Sequence, residues 1–162
     1  MLNLDRFRQA QDMPHVGYAA ALRELQAGQK TGHWIWYVFP QLAGLGRSST
    51  AVHYGLAGVE EAAEYLRDRV LGERLVTAAA AARAHLSGAT GRPARLAGLM
   101  GSEIDALKLV SSMTLFGHVA KTLYAEDAQP QFAAMAAHAD AILTAAAAQG
   151  YARCAHTETH LR

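Results

Sequence analysis

The sequence predicts an all-α fold: a single multihelical globular domain of about six to eight helices, enclosing a buried irregular segment rich in Trp, Pro and Gly. Three observations carry this prediction. Apolar residues recur at helical spacing, as in Leu71, Leu75, Ala78, Ala82 and Leu86. The runs Ala78–Ala82 and Ala145–Ala148 favour helix and allow close helix packing. The one candidate strand, Trp34–Phe39, has no partner to satisfy its backbone.

Bulk properties agree and exclude several classes. A chain of 162 residues fits one domain and buries enough surface to fold without a disulfide or metal. With 51% hydrophobic and 18% charged residues it is globular rather than disordered. Fifteen basic residues against fourteen acidic leave a net charge of +1, which is no footprint for nucleic acid. No window of about 18 apolar residues exists, so a membrane-spanning helix is not expected. The first residues carry Asp5 and Arg6 and lack an apolar signal core, and Cys154 is the only cysteine. A cytoplasmic protein is the expectation, with neither nucleic acid nor membrane as partner. Whether it forms a homo-oligomer is open.

The elements follow in order. Asn3 is placed to cap a short helix from Leu4 to Gln11. After Pro14, a second helix runs from about His15 to Ala27 and stops at Gly28. From Gln29 to Arg47 the period fails; Gly32, Pro40, Gly44 and Gly46 surround a bulky run, read as buried and irregular with one helical turn. A short helix starts near Ser48 or Ser49. Glu60–Arg67 and Val70–Leu86 are helical, Gly88 ends the second, and residues 87–93 form the clearest loop. Pro93 suits the first turn of a short helix to Met100. Ser102-x-x-Asp105 resembles a capping box and opens a long helix to about Tyr124. The last helix runs from Gln129–Pro130 to Gln149 and ends at Gly150. Residues 1–150 thus make the domain, and 151–162 a polar tail without period.

Four constellations carry chemistry-bearing side chains. The first is Lys30-x-x-His33-Trp34-x-Trp36, followed by Pro40-Gln41. An aromatic wall with a few polar groups lines many small-ligand pockets, and His33 has the pKa range for proton transfer. The same two indoles equally suit a core plug. The second, Gly44-x-Gly46-Arg47-Ser48, lacks Walker spacing and reads as a plain turn more readily than as a phosphate cradle. The third is the stripe Asp105, Lys108 and Ser112 on the long helix, which is apolar nearly all round and so buried. A buried acid and base must pair, and i,i+3 spacing lets them meet, either as a structural ion pair or as the polar floor of a pocket. The fourth is Cys154-x-His156-x3-His160, whose residue types bind zinc; its terminal place and missing Cys-x2-Cys favour a mobile tail instead. The sequence leaves the cofactor unknown.

The chain also resembles the domain of unknown function 1810 family. The resemblance rests on Phe7-x2-Ala10-Gln11, Glu24-Leu25, Gly28-x-Lys30, His33-Trp34-x-Trp36 and Phe39-Pro40-Gln41. It continues through Leu45-Gly46-x-Ser48, Tyr65-Leu66, Leu71-Gly72-x-Arg74-Leu75 and Asp105-x2-Lys108-x2-Ser111-Ser112-Met113-Thr114-Leu115-Phe116, covering about residues 4–120. The C-terminal third departs from the pattern. The resemblance implies an all-helical, cytosolic, bacterial domain and no particular activity. Some members carry a calpastatin label, which nothing in these residues supports.

Its motifs do supply polar residues that a core does not require: His33, Gln41, Ser48, Arg74, Asp105, Lys108 and Ser112. If they converge, a shared site is the economical reading. The expected site then has Lys30, Arg74 and Lys108 as positive charge, with Trp34 and Trp36 as flat apolar surface and Gln41, Ser48 and Ser112 as further ligand contacts. Its ligand is a small anionic or nucleotide-like metabolite. In an enzyme, for hydrolysis or group transfer, His33, Asp105 and Lys108 are the catalytic candidates. The rival expectation is a structural or protein-interaction module without ligand or catalysis.

Overall fold

A computed structural model describes residues 3–161; Met1, Leu2 and Arg162, the last residue of the expected tail, lie outside the described residues. Ten helices and no strand occur among those described, more helices than the six to eight expected. They are α1 (Asp5–Gln11), α2 (Tyr18–Ala27), α3 (Ile35–Val38), α4 (Ser49–Tyr54), α5 (Val59–Arg67), α6 (Arg69–Leu86), α7 (Leu96–Met100), α8 (Glu103–Glu126), α9 (Pro130–Ala148) and α10 (Ala155–His160). The excess comes from α3, expected only as one helical turn, and α10, in the expected tail, which are four and six residues long. One turn is too short to display a period, so such elements are hard to count from sequence.

The long α8 is the axis of the fold. It packs along α9 and also touches α3, α5, α7 and α10. Every residue from Leu109 to Gly117 is buried, as an all-round apolar helix requires. Gly117 permits the close α8–α9 approach, because a Cβ there would lie 3.1 Å from the Ala139 Cβ. The second layer is α6, packed on α2, α5 and α9. Its N-terminus is capped by Asp68, whose Oδ1 accepts from the Val70 and Leu71 amides at 3.0 and 2.9 Å.

Helix boundaries shift where turn chemistry intervenes. Asn3 Oδ1 accepts from the Asp5 amide at 3.2 Å, but Leu4 holds the cap position. Helix α2 starts at Tyr18 rather than His15, because Pro14–Gly17 forms a turn with His15 at φ 68°. Helix α7 starts at Leu96, so Pro93 stays in the loop.

The irregular segment is buried only in part: most of Trp34–Leu42 is inside, whereas Thr31, His33, Ala43, Gly44 and Arg47 are exposed. Trp34–Phe39 does not form a strand. The Trp34 carbonyl accepts from the amides of Tyr37 and Val38 at 3.3 and 3.2 Å, starting the single turn of α3. Beyond it, Leu42 makes an isolated parallel bridge with Leu56. Trp34, Ile35, Val38 and Phe39 are all essentially inaccessible, so this part of the run is core.

The polar tail is attached to the domain. Thr157 of α10 is fully buried, with its Oγ1 3.3 Å from the Ser111 Oγ. The Cys154 amide donates to Thr114 Oγ1, and His156 Nε2 lies 3.3 Å from the Ala43 carbonyl. No group of three His, Cys, Asp or Glu side chains suited to a metal ion occurs among the described residues. No helix among them is long and apolar enough to cross a membrane.

Candidate functional site

The site grows from a knot of charge where the loop after α2 meets α7 and α8. Glu24, in the last turn of α2, turns its Oε1 back on the following loop. It accepts from the Thr31 and Gly32 amides, both at 2.7 Å, and from the Trp34 indole at 3.0 Å. Burial pushes the Glu24 carboxyl up, but these three donors outweigh it and hold the group below its ordinary range. The loop is pinned on its other side, where the Lys30 amide donates to the Leu99 carbonyl at 2.8 Å. Gly101 makes this contact possible: its φ is 84°, and a Cβ there would sit 2.6 Å from the Lys30 carbonyl oxygen.

So held, the Lys30 side chain points inward. Its Nζ lies 2.7 Å from Asp105 Oδ2, donates to the Gly32 carbonyl, and stands 5.0 Å from the Trp34 ring centroid. Asp105 is in the first turn of α8, where Ser102 Oγ accepts its amide as the capping motif predicts. The expected Asp105–Lys108 pair exists at 3.6 Å, but Lys30 is the closer partner. Lys108 then stands over Trp36, 4.7 Å from the ring centroid. One carboxylate therefore lies between two ammonium groups, each backed by an indole.

The other expected site residues separate into five places. Trp34 is fully buried and its N–H is taken by Glu24, so it offers no face to a ligand. Ser112 is likewise sealed in the core, where its hydroxyl has no partner among the described residues. Ser48 caps α4, accepting from the Ala51 amide at 3.1 Å. Arg74 is bound to α1, 3.1 Å from Asp12 and 3.2 Å from Gln11 Oε1, with Tyr18 beneath it. His33 is exposed and opens on a hollow of about 570 Å³ shared with His53 and Tyr54. Trp36 lies at the edge of that hollow, its indole N–H buried without a partner among the described residues. Only Gln41 and Lys108 of the expected residues line a cleft beside α8.

That cleft, about 800 Å³, runs between the first turns of α8 and the segment from Gln149 to Cys154. Ile104, Leu107, Lys108 and Ser111 form one stripe of α8 facing it, with Leu45 and Val110 completing an apolar floor. Gln149 braces the opposite wall: its Oε1 accepts from the Leu96 amide at 2.7 Å, and its Nε2 donates to the Ala94 carbonyl at 2.9 Å. This brace sets Arg95 and Arg153 at the rim, both exposed. Neither forms an ion pair with a carboxylate among the described residues. Glu103 is the acidic group of the rim; its carboxylate pushes the Tyr151 phenol up, while Arg95 pulls it the other way. Sequence reasoning missed Arg95, Glu103, Gln149, Tyr151 and Arg153. Arg95 follows a loop, Glu103 and Gln149 lie at helix ends, and Tyr151 and Arg153 lie in the link between α9 and α10, where no period marks which way a side chain points.

With this geometry in place, likeness to known proteins can be stated. The chain matches the family described as protein of unknown function (DUF1810) over residues 1–147, and it belongs to that family. Its fold is shared by the crystal structure of the conserved hypothetical protein Rv1873 from Mycobacterium tuberculosis, which is 34% identical. That likeness has a TM-score of 0.70 and covers 96% of this chain and 94% of the other. No curated protein matches. The cleft wall from Gln149 to Cys154 lies just beyond the residues that the family match covers.

Proposed function

We propose that this member of the family binds a small anionic metabolite in the cleft between α8 and residues 149–154. The observation that carries the reading is the pair of arginines, Arg95 and Arg153, that line the rim without a carboxylate partner among the described residues. Guanidinium groups favour planar, bidentate anions, and Lys108 adds a point charge from the floor. An apolar cleft with a few convergent polar groups is the usual form of a small-molecule site. A nucleotide-like ligand is one member of this class. His33 opens on a separate hollow, so no proton-transfer step is assigned to it. A reducing cytoplasm suits the single free Cys154 at the cleft wall.

The test is a thermal-shift screen against carboxylates, phosphate esters and nucleotides. A ligand at 100 times its Kd adds about 2.7 kcal/mol to stability. Arg153→Ala is expected to remove the shift without changing the unliganded Tm. Silence across the panel overturns the reading.

One observation favours a second reading, a protein-interaction surface. Ile104 and Leu107 are 67% and 54% exposed beside the cleft, unusual for large apolar side chains on an otherwise buried helix. Sedimentation across a concentration series separates the two: self-association lost in Leu107→Ser supports the interaction surface.

A further inference from the structure

Resting on that reading of the cleft, we infer that its ligand class is narrower: an amphipathic anion, with a flat or branched apolar body and no more than two negative charges. Charge sets the upper limit. Three cationic side chains (Arg95, Lys108, Arg153) and one carboxylate (Glu103) line the cleft, a surplus of two. Lys108 is already committed, since behind the cleft it shares Asp105 with Lys30, at 3.6 and 2.7 Å. The free positive charge is thus that of Arg95 and Arg153, with Glu103 beside them on the rim. A triphosphate brings about four negative charges into this setting and meets a carboxylate as well, so a repulsive contact opposes it.

The floor sets the apolar requirement. Ile104 and Leu107 occupy successive turns of the α8 face and are more than half exposed, while Leu109, Val110 and Leu115 on the same helix are sealed. Apolar area left open beside unpaired arginines gains from a ligand that covers it, at roughly 25 cal/mol per Å². Inorganic phosphate covers none of it. A carboxylate, sulfonate or monophosphate on an aryl or branched alkyl body satisfies both walls at once. Tyr151, across from the floor, offers a further ring for such a body.

The experiment uses two fluorescent probes that differ by one group: 8-anilinonaphthalene-1-sulfonate, and N-phenyl-1-naphthylamine, which lacks the sulfonate. The full chain is titrated with each. Phenyl phosphate, inorganic phosphate and ATP then compete against the first. The expected result is one sulfonate-probe site per chain, with the neutral probe at least about tenfold weaker, as for loss of one charge-assisted contact. Arg95→Ala and Arg153→Ala each weaken the sulfonate probe about tenfold, and Leu107→Ser weakens it several-fold. Phenyl phosphate displaces it at lower concentration than either inorganic phosphate or ATP. All three substitutions are at exposed positions, and far-UV circular dichroism confirms the fold. Equal competition by inorganic phosphate or ATP overturns the amphipathic inference and leaves the anion site standing. Probe binding that none of the three substitutions alters, with no competition by any anion, overturns both.

Discussion

Replacing Asp105 by Ala tests the charge knot that holds the Lys30 loop against α8. The Lys30 side chain is 4% exposed and that of Asp105 17%, so the pair at 2.7 Å is largely out of water. Removing one partner of a fully buried pair costs about 3–5 kcal/mol, because the other charge is left without compensation. Two features reduce that figure. Lys30 keeps its hydrogen bond to the Gly32 carbonyl and its place near Trp34, and Asp105 retains some contact with solvent. The expected cost is about 2–3 kcal/mol. For a chain of this size it lowers Tm by about 4–12 °C. The assay is urea and thermal unfolding followed by far-UV circular dichroism. Adding Lys30→Met to Asp105→Ala removes the stranded charge and is expected to recover at least about 1 kcal/mol of the loss. A loss below about 0.5 kcal/mol, or a double variant no more stable than the single one, refutes the reasoning and places the pair with weak surface bridges.

Three further outcomes follow from the same geometry. Glu24 binds its proton less readily in the folded chain than its ordinary value of 4.5, so the stability it contributes is complete above that pH and is lost as pH falls through the lower folded value. Acid titration of Glu24→Gln, followed by Trp fluorescence, is therefore expected to show a shallower loss of stability below pH 4.5 than the parent. Gly101→Ala forces a Cβ toward the Lys30 carbonyl at a φ of 84°, and is expected to cost about 2 kcal/mol in urea unfolding. Thr157→Val leaves the buried Ser111 hydroxyl without its partner and loosens α10, so limited proteolysis within residues 149–156 accelerates while the far-UV spectrum is unchanged.

How much of this was legible in the sequence depended on the range of the interaction. Helix α6 announces itself because its apolar spacing persists over many turns, and α8 and α9 because long apolar, helix-favouring runs lie between clear start and stop signals. The Ser102 cap and the Gly28 stop are local chemistry and were equally readable. The Lys30–Asp105 pair was not: both residues were singled out, but spacing pointed Asp105 toward Lys108, and only packing of the loop on α7 brings Lys30 closer. Trp34 showed the limit of residue type, since an indole reads the same whether its N–H meets a ligand or, as here, Glu24. Arg95 and Arg153 come from either end of the α7–α10 stretch and meet only through tertiary structure. A tail with no period gave no sign that Thr157 docks on Ser111 and so carries Arg153 to the rim.

The central claim, that the α8–C-terminal cleft is an anion site, is tested most directly by amide chemical shifts during titration of the labelled full chain with phenyl phosphate. The account predicts saturable shifts concentrated at Arg95, Glu103–Ser111 and Gln149–Cys154, and their loss in Arg153→Ala. Shifts centred instead on the His33–His53 hollow or around Arg74, or no saturable shifts at all, contradict it.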